Sequence, residues 1–126
     1  MNLSKYTQLF VDQAHTHLAE MGAALVALER DGSPSDSAEA IDVLFRMAHS
    51  VKGMAASLGF DPVTTLAHGL EDWMDPFRGG ETPTREDLDL LDDTITALEQ
   101  LVAGVSEAGR APPLDPTLLA LSLIHI

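Results

Sequence analysis

The chain has 126 residues, 45% of them hydrophobic, no cysteine, and a formal net charge of −13 from 20 acidic and 7 basic side chains. That length suits one compact domain with its own core. The missing cysteines exclude disulfides and thiolate metal sites, and the charge disfavours nucleic-acid backbones and anionic lipid surfaces as partners. No stretch approaches the ~18 consecutive apolar residues of a membrane span, and the opening MNLSKYTQLFVDQAH lacks a cleavable leader pattern, so the expected compartment is the cytoplasm.

In chain order, Leu3, Tyr6, Phe10, Ala14, Leu18, Met21, Leu25 and Leu28 recur at steps of three and four, which predicts one long amphipathic helix with Asn2 as its cap. The run DGSPSDS, from Asp31 to Ser37, is expected to break it. A second stripe follows at Ile41, Leu44, Ala48, Val51, Ala55 and Leu58, closed by Gly59, where a left-handed residue ends a helix at little strain. Asp61 and Pro62 read as N-cap and first residue of a third helix, whose stripe is Leu66, Leu70, Met74 and Phe77. Pro76 lacks an amide hydrogen and is expected to end or kink that helix near Asp75, with Gly79 and Gly80 completing the break.

Thr84 to Asp87 reads TRED, a capping-box variant that opens a fourth helix with Leu88, Leu91, Ile95, Leu98, Leu101 or Val102, and Val105 on its apolar face. Eight acidic residues fall between Glu81 and Glu107 against one arginine, Arg85, as expected for a solvated helix face. Nothing alternates with period two. The expected fold is all-α: an antiparallel four-helix bundle over residues 1–107, monomeric because nothing in it demands self-association. Residues 108–126 read as a proline-rich linker and an apolar tail, TLLALSLIHI, for which a fifth helix, the start of a further segment and a remnant foreign to the fold stay open.

Of the five histidines, His15 and His17 lie two apart on one helix and cannot jointly chelate a metal, and His125 sits in the tail. His49 is different. It shares a helix face with Lys52, Gly53 and Ala56, which places a nucleophilic ring beside a cation and two residues with almost no side chain. Gly53 weakens a helix by ~1 kcal/mol relative to alanine, which is easier to understand if something bulky approaches the ring. A neutral imidazole can take a phosphoryl group as a phosphoramidate, and Lys52 would offset its charge. On the third helix His68 and Glu71 lie three apart; a carboxylate facing His49 could fix its tautomer. Spacing alone leaves the bland alternative open: an exposed histidine with a chance lysine, and a solvated acid beside Asp72.

The strings HSVKGMAASLGF and LAHGLEDWMD, with the helix breaks around them, resemble the N-terminal histidine phosphotransfer (HPt) domain of CheA-type chemotaxis histidine kinases, over about residues 2–105. The resemblance implies that His49 is the phosphoacceptor, that Lys52 steadies the phosphoryl group, and that Gly53 leaves it room. Glu71 would orient the ring, and His68 would be an auxiliary neighbour. It further implies two partners, a kinase ATP-binding domain acting in trans and the receiver domain of a CheY- or CheB-like response regulator. Trp73 and Pro76 depart from the plain aliphatic continuation usual at the end of the third helix. The chain has no glycine-rich phosphate loop, so no cofactor or metal is expected on it; ATP and magnesium would come from partner domains. Two rival readings are a docking bundle without chemistry and a metal-binding bundle, and the second is disfavoured because the chain contains no Glu-x-x-His pair.

Overall fold

A computed structural model of the chain describes residues 3–30 and 34–108. Four helices account for nearly all of them: α1 (Leu3–Glu29), α2 (Pro34–Leu58), α3 (Asp61–Arg78) and α4 (Arg85–Ala108). α1 packs on α2 and α4, α3 packs on α2 and α4, and no diagonal pair of these helices makes close backbone approach. Short links force each helix to run back along its predecessor, so the result is the antiparallel four-helix bundle expected from the periodicity. No strand occurs among the described residues. Asn2 and the tail fall outside them, as does His125.

The apolar stripes meet in one core. Met21 from α1, Leu44 and Val51 from α2, Leu66 from α3, and Leu98 and Val102 from α4 are essentially inaccessible. Most of a helix's stability in a protein comes from packing its amphipathic face, so burial of the four stripes together holds them. Leu101 and Val102 are both buried, and so are Val11, Ala24, Val63 and Trp73, which the narrow stripes omit. The apolar face of a globular helix is wider than one residue per turn. Tyr6, placed on the α1 stripe by its spacing, is 49% exposed instead.

The helix ends decide the register between neighbours. At the α2–α3 link Gly59 adopts φ 78°. Its amide donates to the Ala56 carbonyl at 3.3 Å and the Phe60 amide donates to the Ala55 carbonyl at 2.9 Å, the paired bonds of a Schellman closure. Phe60 is then buried against Phe10, ring centroids 5.0 Å apart. The cap of α3 is Phe60, with no side-chain cap bond, and Asp61 is already helical. This corrects the expectation that Asp61 caps and Pro62 comes first: the Schellman turn carries the chain straight into α3, and no side-chain cap is required.

α3 also runs through Pro76 to Arg78, rather than ending near Asp75. Proline removes one amide donor, but here it lies in the last turn. The carbonyls of Asp75, Pro76 and Phe77 accept from the amides of Gly79, Glu81 and Gly80. Phe77, seated edge-on against Trp73 at 4.9 Å, anchors the turn in the core. The first break is likewise shorter than its composition suggests, because Pro34 already begins α2. At α4 the capping box forms as expected. The Thr84 amide donates to Asp87 Oδ2 at 2.8 Å, and the Asp87 amide donates to Thr84 Oγ1 at 3.1 Å.

Candidate phosphoacceptor site

The short link between α2 and α3, Gly59 and Phe60, sets the site. Counting back from it to His49 and forward to Glu71 covers about three turns each way, so the two residues come level on adjacent antiparallel helices. His49 Nδ1 lies 2.8 Å from Glu71 Oε2, and Lys52 Nζ donates to Glu71 Oε1 at 2.9 Å. One carboxylate thus engages both residues of α2. The side chains of His49, Lys52 and Glu71 are 64%, 24% and 13% exposed, so the acid is covered while the ring faces outward.

The electrostatics follow from that placement. Partial burial pushes the Glu71 carboxyl up, but the hydrogen bonds and charges of Lys52 and His49 together outweigh burial and hold it below its ordinary value. Glu71 is therefore ionised at neutral pH and can only accept. The proton of a neutral His49 must then sit on Nδ1, donated to Glu71, which leaves the lone pair on Nε2 of the exposed ring. Lys52 balances the carboxylate, so the cluster is close to electrically neutral before any reaction.

Gly53 is exposed on the same side of α2, and a Cβ built on it would meet nothing within 4 Å. The fold itself thus gives no reason for a glycine there. Beside the ring lies an open depression of about 380 Å³ lined by Phe45, Arg46, Met47, His49, Ser50 and Glu71. His68 is not part of the network with Glu71. Its Nε2 instead lies 3.5 Å from Asp72 Oδ2, both side chains being about half exposed. His15 is exposed, and His17, also on α1, has a buried Nδ1 with no hydrogen-bond partner. Among the described residues no three histidine or acidic side chains converge as metal ligands would.

Sequence reasoning missed the surroundings. Arg46 Nε donates to Asp42 Oδ2 at 2.9 Å, and the Arg78 guanidinium stacks 3.7 Å over the Phe45 ring. The first pair was readable as an i, i+4 Asp–Arg spacing. The second joins residues far apart in sequence and left no local signal.

The Hpt domain family model matches residues 5–101, and the chain belongs to that family. It is 33% identical to the chemotaxis protein CheA of Bacillus subtilis over 110 residues, 86% of this chain and 16% of that protein. It is 32% identical to CheA of Halobacterium salinarum, over 85% of this chain and 16% of that one. The chain thus spans about a sixth of the length of these relatives. Among solved structures, the phosphorylated P1 domain of CheA3 in complex with CheY6 from R. sphaeroides superposes with a TM-score of 0.85 at 23% identity, covering 94% of this chain and 92% of that one. At that identity the likeness is one of fold.

Proposed function

We propose that the chain is the phosphocarrier module of a chemotaxis-type two-component kinase, with His49 taking a phosphoryl group from a kinase ATP-binding domain and passing it to an aspartate of a response-regulator receiver. The observation that carries the reading is the Nδ1–Glu71 bond at 2.8 Å on a ring that is 64% exposed, which selects Nε2 as the nucleophile and presents it outward. Membership of the Hpt family and the relatedness to CheA proteins support it, as does the phosphorylated state named for the structurally similar P1 domain.

In the first step the Nε2 lone pair attacks the γ-phosphorus of ATP, the N–P bond forms, and the bond to the bridging oxygen breaks with its electron pair on ADP. The ring gains positive charge while keeping its Nδ1 proton, and Glu71 stabilises that charge from 2.8 Å. In the second step an aspartate oxygen attacks phosphorus and the N–P electrons return to Nε2. Magnesium and nucleotide belong to the partner domains in this scheme. The chain supplies an oriented nitrogen on a rigid helix, Lys52 against the phosphoryl charge, and space at Gly53.

The test is incubation with a CheA-type catalytic domain and labelled ATP. Acid-labile, base-stable label is expected on the wild-type chain, absent from His49→Gln, and draining onto a CheY-like receiver. A folded chain left unlabelled by active kinases from several chemotaxis systems would instead mark a docking bundle without chemistry.

A further inference from the structure

The chain carries only seven Lys and Arg against twenty acidic residues, yet three of the seven, Arg46, Lys52 and Arg78, lie on the α2–α3 side around His49. They are not equivalent. Lys52 is bound to the Glu71 carboxylate at 2.9 Å, so its charge is already matched. Arg78 is stacked over Phe45 and lies 3.9 Å from Asp75. Arg46 precedes His49 by three residues, which makes them surface neighbours on α2, and both line the same depression. It is held only by Asp42, across an i, i+4 pair whose side chains are 59% and 52% exposed. Solvent screens such a pair and leaves it readily exchanged.

A phosphoryl group on Nε2 brings close to two negative charges to a cluster in which Glu71 and Lys52 cancel. The nearest cation able to answer it without breaking the Glu71 network is Arg46, whose planar guanidinium matches phosphoryl oxygens with two parallel hydrogen bonds. We infer that Arg46 is a phosphoryl-binding residue that leaves Asp42 for the phosphoryl oxygens once His49 is phosphorylated. The inference rests on the phosphocarrier reading above. In the unmodified chain Asp42, one turn back on α2, holds the guanidinium. In the phosphorylated chain Asp42 turns to solvent, and Arg46 and Lys52 flank the group from the two sides of His49.

The experiment needs no partner protein. The full chain is phosphorylated with potassium phosphoramidate, a kinase-independent donor, and the N-phosphoryl resonance that His49→Gln lacks is followed by ³¹P NMR as pH is varied. A nearby cation favours the dianion, so Arg46→Gln is expected to raise the second ionisation of the phosphoryl group by roughly half a pH unit. Arg46→Lys should recover part of that shift, and Asp42→Asn should move it the opposite way, which a folding defect would not. An Arg46→Gln chain that titrates with the wild type overturns the inference and leaves the carrier reading intact. No N-phosphoryl signal on the wild-type chain with either phosphoramidate or kinase and ATP overturns the carrier reading, and this inference with it.

Discussion

Glu71 shows how one carboxylate can orient a histidine while it engages a lysine. Its side chain is 13% exposed, and its two oxygens accept from different residues of α2, so neither partner can move without disturbing the other. The carboxyl is held below its ordinary value of 4.5, and the sign of the resulting pH dependence follows. A group with a depressed folded pKa stabilises the fold above the unfolded value, and that stability is lost as pH falls through the folded value. The unfolding free energy of wild type over Glu71→Gln is therefore expected to be on the order of 1 kcal/mol at pH 7 and to fade as falling pH protonates the carboxyl. Urea denaturation of both chains across roughly pH 3–8, a window that brackets ordinary carboxyl titration, checks this. A difference that stays constant with pH would mean that Glu71 acts by packing and not by charge.

At the scale of the element, α2 carries a helix-weakening residue one turn beyond His49. Gly53 sits in its interior, exposed, where an added Cβ meets nothing within 4 Å. Gly53→Ala is expected to stabilise the fold by about 1 kcal/mol, raising Tm by several degrees, while Gly53→Leu keeps the helix but slows phosphoryl transfer by crowding His49. Thermal melts alongside transfer kinetics measure both effects, and a Gly53→Leu chain with unimpaired transfer would show that the glycine is not there for access. The placement of Gly53 was readable in the sequence, because a helix-weakening residue beside His49 and Lys52 is a local pattern. The stripes of α2, α3 and α4 were legible for the same reason, as was the reciprocal Thr84–Asp87 cap. Less legible were features decided by tertiary context. Pro76 reads as a terminator by local chemistry, yet the Trp73–Phe77 contact and the amides of Gly79, Gly80 and Glu81 carry α3 past it. Tyr6 fits the period of α1 but stays on the surface, and His68 turns to Asp72 though its spacing from Glu71 suggested a common task. The His49–Glu71 contact itself spans 22 residues; residue pattern made it conceivable, and only helix register could decide it.

At the scale of the whole molecule, the described residues form a ring of four helices, each touching two neighbours, around a core that includes none of His49, Lys52 and Glu71. Stability and chemistry are consequently separable. Leu98 is fully buried on α4, which makes no close backbone approach to α2, and Leu98→Ala is expected to cost about 2–5 kcal/mol, a large share of a typical domain stability. Where the variant remains folded, its rate of labelling at His49 should match the wild type. Denaturation midpoints and kinase assays below that midpoint test this, and a slowed folded variant would show that the core is coupled to the site. The charge distribution is uneven at this scale as well. Exposed acids such as Glu86, Asp89, Asp92, Asp93 and Glu99 line α4, whereas Arg46, Lys52 and Arg78 lie with α2 and α3.

The short Schellman link at Gly59 and Phe60 has a consequence for how such a chain can change over time. Everything from Arg46 to Glu71 forms a single helical hairpin, and its gearing is set by that link: one inserted residue would turn Glu71 by about 100° and advance it about 1.5 Å along α3, out of step with His49. Insertions at the link are thus intolerable unless matched elsewhere. The connection from α3 to α4, between Arg78 and Arg85, carries no residue of the cluster, so a change in its length leaves His49 and Glu71 in step. The hairpin sets the register of the cluster, and α1 and α4 complete the core that holds it.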